Sequence, residues 1–420
     1  VISAPKGTQD ILPAKVHAWQ HIEAAMRCRC VLSGYGEIRT PVFESTELFA
    51  RGVGDTTDIV QKEMYTFEDR GGRSVTLKPE GTAGVVRALV EHGLLNEALP
   101  IKVFYAFSPT FRYERPQSGR LREHHQFGVE CFGAPGPGVD AEIIALGAGL
   151  LADLGLSASV ELQLNSIGCP VCRAQYLQVL QGLLTEKQSD LCGDCVRRLQ
   201  RNPLRALDCK NQRCQPSLAG LPHIVQHICG DCAAHFEGLQ NHLTDIGISF
   251  TINPRIVRGL DYYTRTVFEF VSPLLGAQST VCGGGRYDGL VASLGGPAVS
   301  GIGFGLGMER LLLMMEAAGS LPEQQGLLDV FVACVSEGER REALKLTQQL
   351  REKGIKTDCD HANRSVKAQF KYAGKLSARY VITLGPEELA VGKAQVRDMA
   401  AHTTENIFMD KLGEYLCQLI

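Results

Sequence analysis

The stretch FRYERPQSGRLREHHQFG (Phe111–Gly128) places Arg112, Arg115, Arg120 and Arg122 around Glu114. Its Pro-Gln-Ser-Gly segment reads as the turn of a strand–loop–strand hairpin, since Pro and Gly favour reversal where apolar alternation stops. In a strand, residues two apart share a face, so Arg112 and Glu114 point the same way. An arginine held by a neighbouring carboxylate is a planar, pre-organised phosphate ligand. A solvated edge hairpin has the same composition, because charge runs commonly face water. Taken alone, the hairpin leaves both readings open.

Outward from this hairpin, strand-like runs with a period near two cover Ile101–Phe107, Thr110–Glu114, Gln126–Phe132 and Ser159–Asn165. Glu37–Phe43 is also extended. Residues 14–32 and 141–154 read as helices, and residues 170–250 as mostly helical. Strands resume at Ser249–Ile252 and Val267–Val271. Many strands with few regular crossovers predict a large antiparallel sheet carrying helices, an α+β fold. The last part differs: strand, helix, strand, helix, strand from Val330 to Leu384 predicts a parallel or mixed α/β sheet. SLPEQQGLL (320–328) reads as the linker, and no internal repeat stands out.

Composition bounds the answer. The 420 residues suggest about three domains. With 44% hydrophobic and 21% charged residues, disorder is not expected. No apolar run approaches the roughly 20 residues of a membrane span, and the first 20 residues lack a signal-peptide plan, so no membrane role and a cytoplasmic location are expected. Fifteen cysteines are many for such a chain, and eight lie between Cys169 and Cys232. An extracellular disulfide scaffold would be shorter, which leaves metal sites or free thiols.

Further pieces carry chemistry. In GIGFGLGMERLLL (301–313), glycines at 301, 303, 305 and 307 strip one strand face of side chains. A flat ligand such as a nucleobase would then lie on the backbone; tight sheet packing is the alternative. The run is neither a P-loop nor a GxGxxG turn. Arg310 follows in the first helical turn. TLKPEGTAG (76–84) offers Glu80, beside Gly81 and Thr82, to an ammonium group. VRGLDYYTRTVFEF (257–270) sets Arg258 beside Tyr262 and Tyr263. GGGRYDGL (283–290) reads as a flexible glycine-rich turn carrying Tyr287.

Together these pieces resemble the class II aminoacyl-tRNA synthetases, and within them the bacterial-type histidyl-tRNA synthetases. The resemblance runs from KGTQDILP (6–13) to the C-terminal α/β unit. EIRTPVFE (37–44) looks like motif 1, with Pro41 similar to a dimer-interface proline. FRYE and its loop look like motif 2, GFGLGMERL like motif 3, and RGLDYY and GGGRYDGL like the two histidine signatures. The resemblance implies a class II antiparallel catalytic sheet flanked by helices in residues 1–168 and 249–319. A helical, cysteine-rich insertion would occupy 169–248 and an anticodon-binding domain 328–420.

It also implies an ATP-dependent, Mg²⁺-assisted histidine–tRNA ligase, homodimeric, with L-histidine, ATP and tRNA(His) as partners. Glu80, Gly81, Thr82 and Gln126 would hold the α-amino group. Glu130 and Tyr263, with Tyr262 and Tyr287, would hold the imidazole. Arg112 and Arg258 would serve the reacting carboxylate and α-phosphate, and Glu114, His124 and Arg310 the rest of ATP. Arg115 and Gln117 would meet the tRNA acceptor end. His124 stands where many relatives carry phenylalanine, and Lys78 where an arginine is common. The non-enzyme alternative is a paralogue serving as regulatory subunit of ATP phosphoribosyltransferase. Such paralogues typically lack the C-terminal domain and the RGLDYY arginine, both present here. A pure RNA-binding module would not need Glu80, Arg112, Arg258 and Arg310 together.

Cysteine spacing groups Cys169, Cys172, Cys192 and Cys195 as a structural Zn²⁺ template, with Cys209, Cys214, Cys229 and Cys232 as a second set. Free thiols are the alternative. The net charge of −3 gives no hint of nucleic acid until it is resolved by position. Residues 112–122 carry four Arg against Glu114, residues 196–213 six Lys or Arg against Asp208, and residues 361–380 five Lys or Arg and no acid. These windows total +13, leaving −16 elsewhere. Arg364, Lys367, Lys371 and Lys375 recur at helical spacing, the expected footprint of an RNA contact.

Overall fold

A computed structural model describes residues 2–420 except 55, 56, 202, 208, 210, 257 and 325; for 200, 201, 205, 277 and 278 only the backbone is described. The chain divides into two compact units, Val1–Pro322 and Glu323–Ile420. The first unit is built on an eight-stranded sheet. In spatial order its strands are Gly36–Glu37, Ile101–Phe111, Glu123–Phe132, Gly301–Gly307, Thr280–Arg286, Thr264–Val271, Glu161–Ser166 and Thr251–Ile252. The six inner strands are antiparallel to their neighbours, and the two short edge strands pair in parallel. The α+β reading therefore holds.

The period of two sets the two faces of this sheet. Phe127, Val129 and Cys131 alternate with Gln126, Gly128 and Glu130 along one strand. Ile302, Phe304 and Leu306 alternate with glycines along its neighbour. The apolar set packs into one core with Trp19, Ile22 and Met26 of helix Pro13–Leu32, with Ile143, Leu146 and Leu150 of helix Pro137–Asp153, and with Phe236, Leu239 and Leu243 of helix Gly230–Asp245. Each helix contributes residues three or four apart, the spacing of one helical face. The opposite face of the sheet is left for polar side chains.

Sequence expectation and structure part company at Cys282–Arg286. The glycine run there is not a turn but part of an inner strand, paired on both edges. Glycines persist because neighbours occupy the space of their missing side chains. The Arg258 guanidinium lies against Gly283, and Phe268 and Phe304 lie against Gly284. A small three-stranded antiparallel sheet, Phe43–Ser45, Ser74–Leu77 and Tyr65–Glu68, also escaped the periodicity, its strands being too short to show one.

One buried polar network ties the helices to the sheet. Asp140, on helix Pro137–Asp153, faces Arg286 at 2.5 Å, and both are fully buried. Its carboxylate also accepts from Thr266 Oγ1 at 2.6 Å and lies 2.8 Å from His235 Nε2. Arg286 donates further to the carbonyls of Ala134 and Gly136. A buried charge is tolerable when its lone pairs and protons are all used, and costly once its partner is removed.

The second unit has a five-stranded sheet in the order Thr357–Cys359, Val330–Cys334, Tyr380–Leu384, Lys393–Asp398, Thr404–Phe408. Its first three strands are parallel and the last two antiparallel, so the mixed-sheet expectation is met. Ala343, Leu346 and Leu350 are buried on helix Arg340–Glu352 as their spacing predicts. Removing the Asp140 carboxylate by Asp140→Ala should cost about 3–5 kcal/mol, the usual loss when a buried pair is broken. Urea unfolding of the full chain measures it, and a loss under ~1 kcal/mol would contradict the network's role.

Candidate active site

The polar face of the large sheet carries a buried cluster. Glu80 precedes helix Thr82–Glu91, and its two carboxylate oxygens accept the backbone N–H of Thr82 and Ala83, each at 2.8 Å. Negative charge at a helix N-terminus is favourable and satisfies otherwise orphaned donors. Thr82 Oγ1 donates to Glu130 Oε1 at 2.7 Å, and the Tyr287 hydroxyl donates to the other Glu130 oxygen. Gln126 Oε1 accepts the Gly81 N–H at 3.0 Å. Tyr262, Tyr263 and Tyr287 form a ring triad with centroids 4.8–6.4 Å apart. Burial pushes the Glu130 carboxyl up to about 8, against the hydrogen bonds from Tyr287 and Thr82.

The glycine strand makes this cluster possible. A side chain at Gly301 would meet the Tyr287 ring, one at Gly303 the Glu130 carboxylate, and one at Gly305 the Gln126 amide. Three of the four alternating glycines therefore make room for protein side chains. Only the space over Gly307 is open, which narrows the expectation of a nucleobase lying along the whole strand. Tyr105, unmarked in the sequence reading, lies against Gly81 and Gly128 in the same way.

Through Gln126 and Arg258 the cluster adjoins an open cavity of about 310 Å³, lined also by Arg112, Glu114, His124, Gly307, Glu309 and Arg310. Arg112 Nε donates to the Pro79 carbonyl at 2.9 Å. Arg258 pairs with Glu269, which also accepts from Thr280 Oγ1 at 2.9 Å; the guanidinium lies 5.8 Å from the Tyr263 ring centre. Arg310 donates to the carbonyls of Gly119 (3.0 Å) and Thr280 (2.9 Å). Burial, then Arg112 and Arg310, hold the His124 imidazole down at about 3, so it is a neutral flat ring at neutral pH. Four guanidiniums around one cavity, those of Arg112, Arg120, Arg258 and Arg310, make an anion site of high charge density.

Glu114 does not hold Arg112, as its place on the hairpin suggested; its partner is Arg120. The strand ends at Phe111 and the chain turns inward, so sharing a face in sequence did not mean sharing a bond. Arg115 and Gln117 stand exposed at the hairpin tip, where Gln117 and Arg120 close a turn by two backbone hydrogen bonds. Glu309 was missed: it accepts the His125 backbone N–H at 3.0 and 3.1 Å and lies 2.9 Å from His125 Nδ1. Only its seat in the first turn after the glycine strand could have marked it. Lys78 is buried with its ammonium 3.4 Å from the Thr40 carbonyl and hydroxyl, and burial lowers it to about 8 despite Glu44 and Glu80.

The family model for histidyl-tRNA synthetase matches residues 7–311, and the model for an anticodon binding domain matches residues 329–419. The chain belongs to the histidyl-tRNA synthetase family. Curated histidine–tRNA ligases of Caldanaerobacter subterraneus subsp. tengcongensis and Acetivibrio thermocellus are each 51% identical, over 97% of this chain and 98% of those proteins. The crystal structure of apo Staphylococcus aureus histidyl-tRNA synthetase superposes with a TM-score of 0.84 at 39% identity, covering 99% of this chain and all of that one. A Bacillus halodurans structure titled ATP phosphoribosyltransferase regulatory subunit/histidyl-tRNA synthetase shares the fold alone, at 24% identity and a TM-score of 0.65. By that family membership and these relatives the chain is a class II aminoacyl-tRNA ligase.

The cysteine grouping read from spacing is corrected. The synthetase brings Cys169 and Cys172 together with Cys229 and Cys232, and Cys192 and Cys195 together with Cys209 and Cys214. The inner set is nested within the outer because helices Pro170–Glu186 and Gly230–Asp245 start side by side; sequence order does not encode that. Of the basic window 196–213, Asp208 and Lys210 lie outside the described residues, as do the side chains of Arg201 and Arg205. In the second unit Lys367, Lys371 and Lys375 are exposed on helix Val366–Lys375, whereas Arg364 precedes it and is tied to Asp360 at 2.7 Å.

Glu130 generates a pH prediction. Its folded value of about 8 exceeds the ordinary 4.5, so between those pH values the folded chain holds a proton that the unfolded chain releases. Its contribution to stability therefore falls as pH rises through that window. Glu130→Gln should flatten this part of the melting-temperature profile. A variant profile parallel to the parent from pH 5 to 8.5 would contradict the assignment.

Proposed function

We propose that the buried cluster is the histidine pocket and the adjoining cavity the ATP site of a histidine–tRNA ligase. The single observation that carries this is the junction of the two at Gln126 and Arg258, between a buried polar cluster and a cavity lined by four arginines. Glu80, Thr82 and Gln126, with Gly81, hold the substrate ammonium; each Glu80 oxygen keeps a lone pair beyond its backbone bond. Glu130 and Tyr263 pair the two imidazole nitrogens, with Tyr287 and Tyr262 fixing their orientation. A pocket that pairs a donor and an acceptor rejects apolar isosteres strongly, because those would leave buried polar groups unpaired.

The substrate carboxylate attacks the α-phosphorus of ATP, one P–O bond forms, and pyrophosphate leaves with the electrons of the bond that breaks. A carboxylate is already ionised, so no general base is required. Rate enhancement comes from positioning and from neutralising charge on phosphate oxygens. Arg112 and Arg258 flank the reacting oxygens, and Arg310 grips the rest of the nucleotide. The neutral His124 ring stacks on adenine without adding charge. Glu114 offers the hard oxygen donors that suit Mg²⁺, which when bound supplies charge neutralisation on the β- and γ-phosphates. In the second step the histidyl group passes to the terminal ribose of tRNA(His), presented by Arg115 and Gln117. Lys367, Lys371 and Lys375 supply phosphate contacts for the same RNA.

The same reading includes a cytoplasmic homodimer and structural Zn²⁺ in the insertion. Pro41, Val42 and Phe43 are exposed in the motif 1 segment and offer apolar surface to a second copy. Among the described residues no helix is long and apolar enough to cross a membrane.

Histidine-dependent ATP–pyrophosphate exchange is expected from the full chain. Arg258→Ala should lower it by about 10²–10³-fold, the usual loss when one transition-state charge donor is removed. Circular dichroism should stay that of the parent. Absent exchange from folded parent protein overturns the ligase reading, and near-parental exchange from the variant overturns the role of Arg258.

A further inference from the structure

Each of the two four-cysteine clusters has its sulfurs within 4.8 Å of one another, and none of the eight forms a disulfide. The separations Cys169–Cys172, Cys192–Cys209 and Cys195–Cys214 are 3.5, 3.8 and 3.9 Å. Tetrahedral zinc with Zn–S bonds of about 2.3 Å has ligand edges of about 3.8 Å. A disulfide would need about 2.05 Å. The clusters therefore have the dimensions of tetrathiolate sites.

Two further features suit thiolates. The Cys229 N–H donates to Cys172 Sγ at 3.0 Å, and the Cys192 N–H to Cys214 Sγ at 3.1 Å. Such amide donors orient a metal-bound sulfur and offset its charge. Cys169, Cys192 and Cys229 also precede helices Pro170–Glu186, Gly193–Arg201 and Gly230–Asp245, whose positive ends face the clusters. Four thiols that release their protons to solvent and bind one Zn²⁺ as thiolates leave a net charge of −2, which these helix ends and amides stabilise.

The clusters are placed differently. Cys192, Cys195, Cys209 and Cys214 close only the segment between them. Cys169, Cys172, Cys229 and Cys232 join the two ends of the insertion where it leaves and rejoins the sheet. Next to Cys172, Arg173 donates to the Asp261 carbonyl at 2.9 Å and lies 3.9 Å from its carboxylate. Asp261 sits between Arg258 and the tyrosine pair. Gly168, before Cys169, exchanges backbone contact with the same region through the Arg265 N–H at 2.8 Å.

We propose that each cluster is a closed structural zinc site, one nested within the other in sequence. The site at the base braces the 258–263 loop through Arg173, making Arg173 a positioning residue for the histidine pocket. This rests on the insertion's being zinc-bearing, and its kinetic readout rests on the ligase reading; both are tested separately in the parent chain. A closed four-thiolate site keeps no open position for substrate, so its effect on catalysis is geometric.

Zinc is counted by plasma mass spectrometry on the full chain purified without added metal. The expected content is two per chain for the two clusters. Less than about a tenth of an equivalent overturns zinc binding altogether. The double variant Cys169→Ser, Cys229→Ser removes ligands from one site in the nested grouping and should keep one zinc. In a sequential grouping it damages both sites and keeps none, which would overturn the assignment. Mercurial titration of the native parent, releasing both zincs in step with eight thiols, gives a mutation-free check. Arg173→Ala leaves every thiol intact. It should retain both zincs and raise the KM for histidine at least ~10-fold with a smaller change in kcat. Cys192→Ser, Cys195→Ser should leave that KM unchanged. An unchanged KM in Arg173→Ala would overturn the brace.

Discussion

The first unit depends on a strand that is large on one side and absent on the other. Ile302, Phe304 and Leu306 fill the core under the sheet, while Gly301, Gly303 and Gly305 leave room above it for Tyr287, Glu130 and Gln126. Any Cβ at those glycines would collide with a group that lines the site. The strand thus couples the most hydrophobic layer of the fold to its most polar one across a single backbone. Packing density below and hydrogen bonding above are set by the same seven residues.

Charge is then placed where the sheet and helices can satisfy it. Arg286 and Asp140 are wholly buried but every polar atom meets a partner, so the pair orients helix against strand at little net cost. Arg258 pairs with Glu269 at the mouth of the cavity, and Glu80 is held by the start of a helix. Against these fixed charges Glu130 and His124 are both pressed toward neutrality by burial, from opposite directions. The result is a pocket that sets the Glu80 carboxylate among neutral hydrogen-bonding groups, beside a cavity lined by guanidiniums. Such a division suits a substrate with a neutral ring at one end and a reacting anion at the other.

Much of this was legible in residue patterns. The hairpin with its arginines, the alternating glycines and the change to strand–helix alternation after Pro322 all depend on local periodicity, which sequence displays directly. Glu80, Thr82, Gln126, Glu130, Tyr263 and Tyr287 were named by resemblance, and the fold brings them into one cluster. The failures are all of one kind. GGGRYDGL looked like a turn because glycine freedom is visible and the Arg258, Phe268 and Phe304 side chains filling its gaps are not. Glu114 was given to Arg112 because they share a strand face, but Arg120 crosses the loop to reach it.

The cysteines separate the two sources of information most sharply. Sequence alone determined that eight thiols come in CxxC-like pairs, that the chain alternates buried and polar faces, and that its motifs are those of one synthetase family. Only tertiary structure decided which thiol pairs meet, which carboxylate meets which arginine, and that a glycine-rich segment runs through the middle of a sheet. Periodicity and motif spacing are short-range properties, fixed by backbone geometry over a few residues. Partner choice is a long-range property, decided by which helices start side by side and which side chains compete for the same gap.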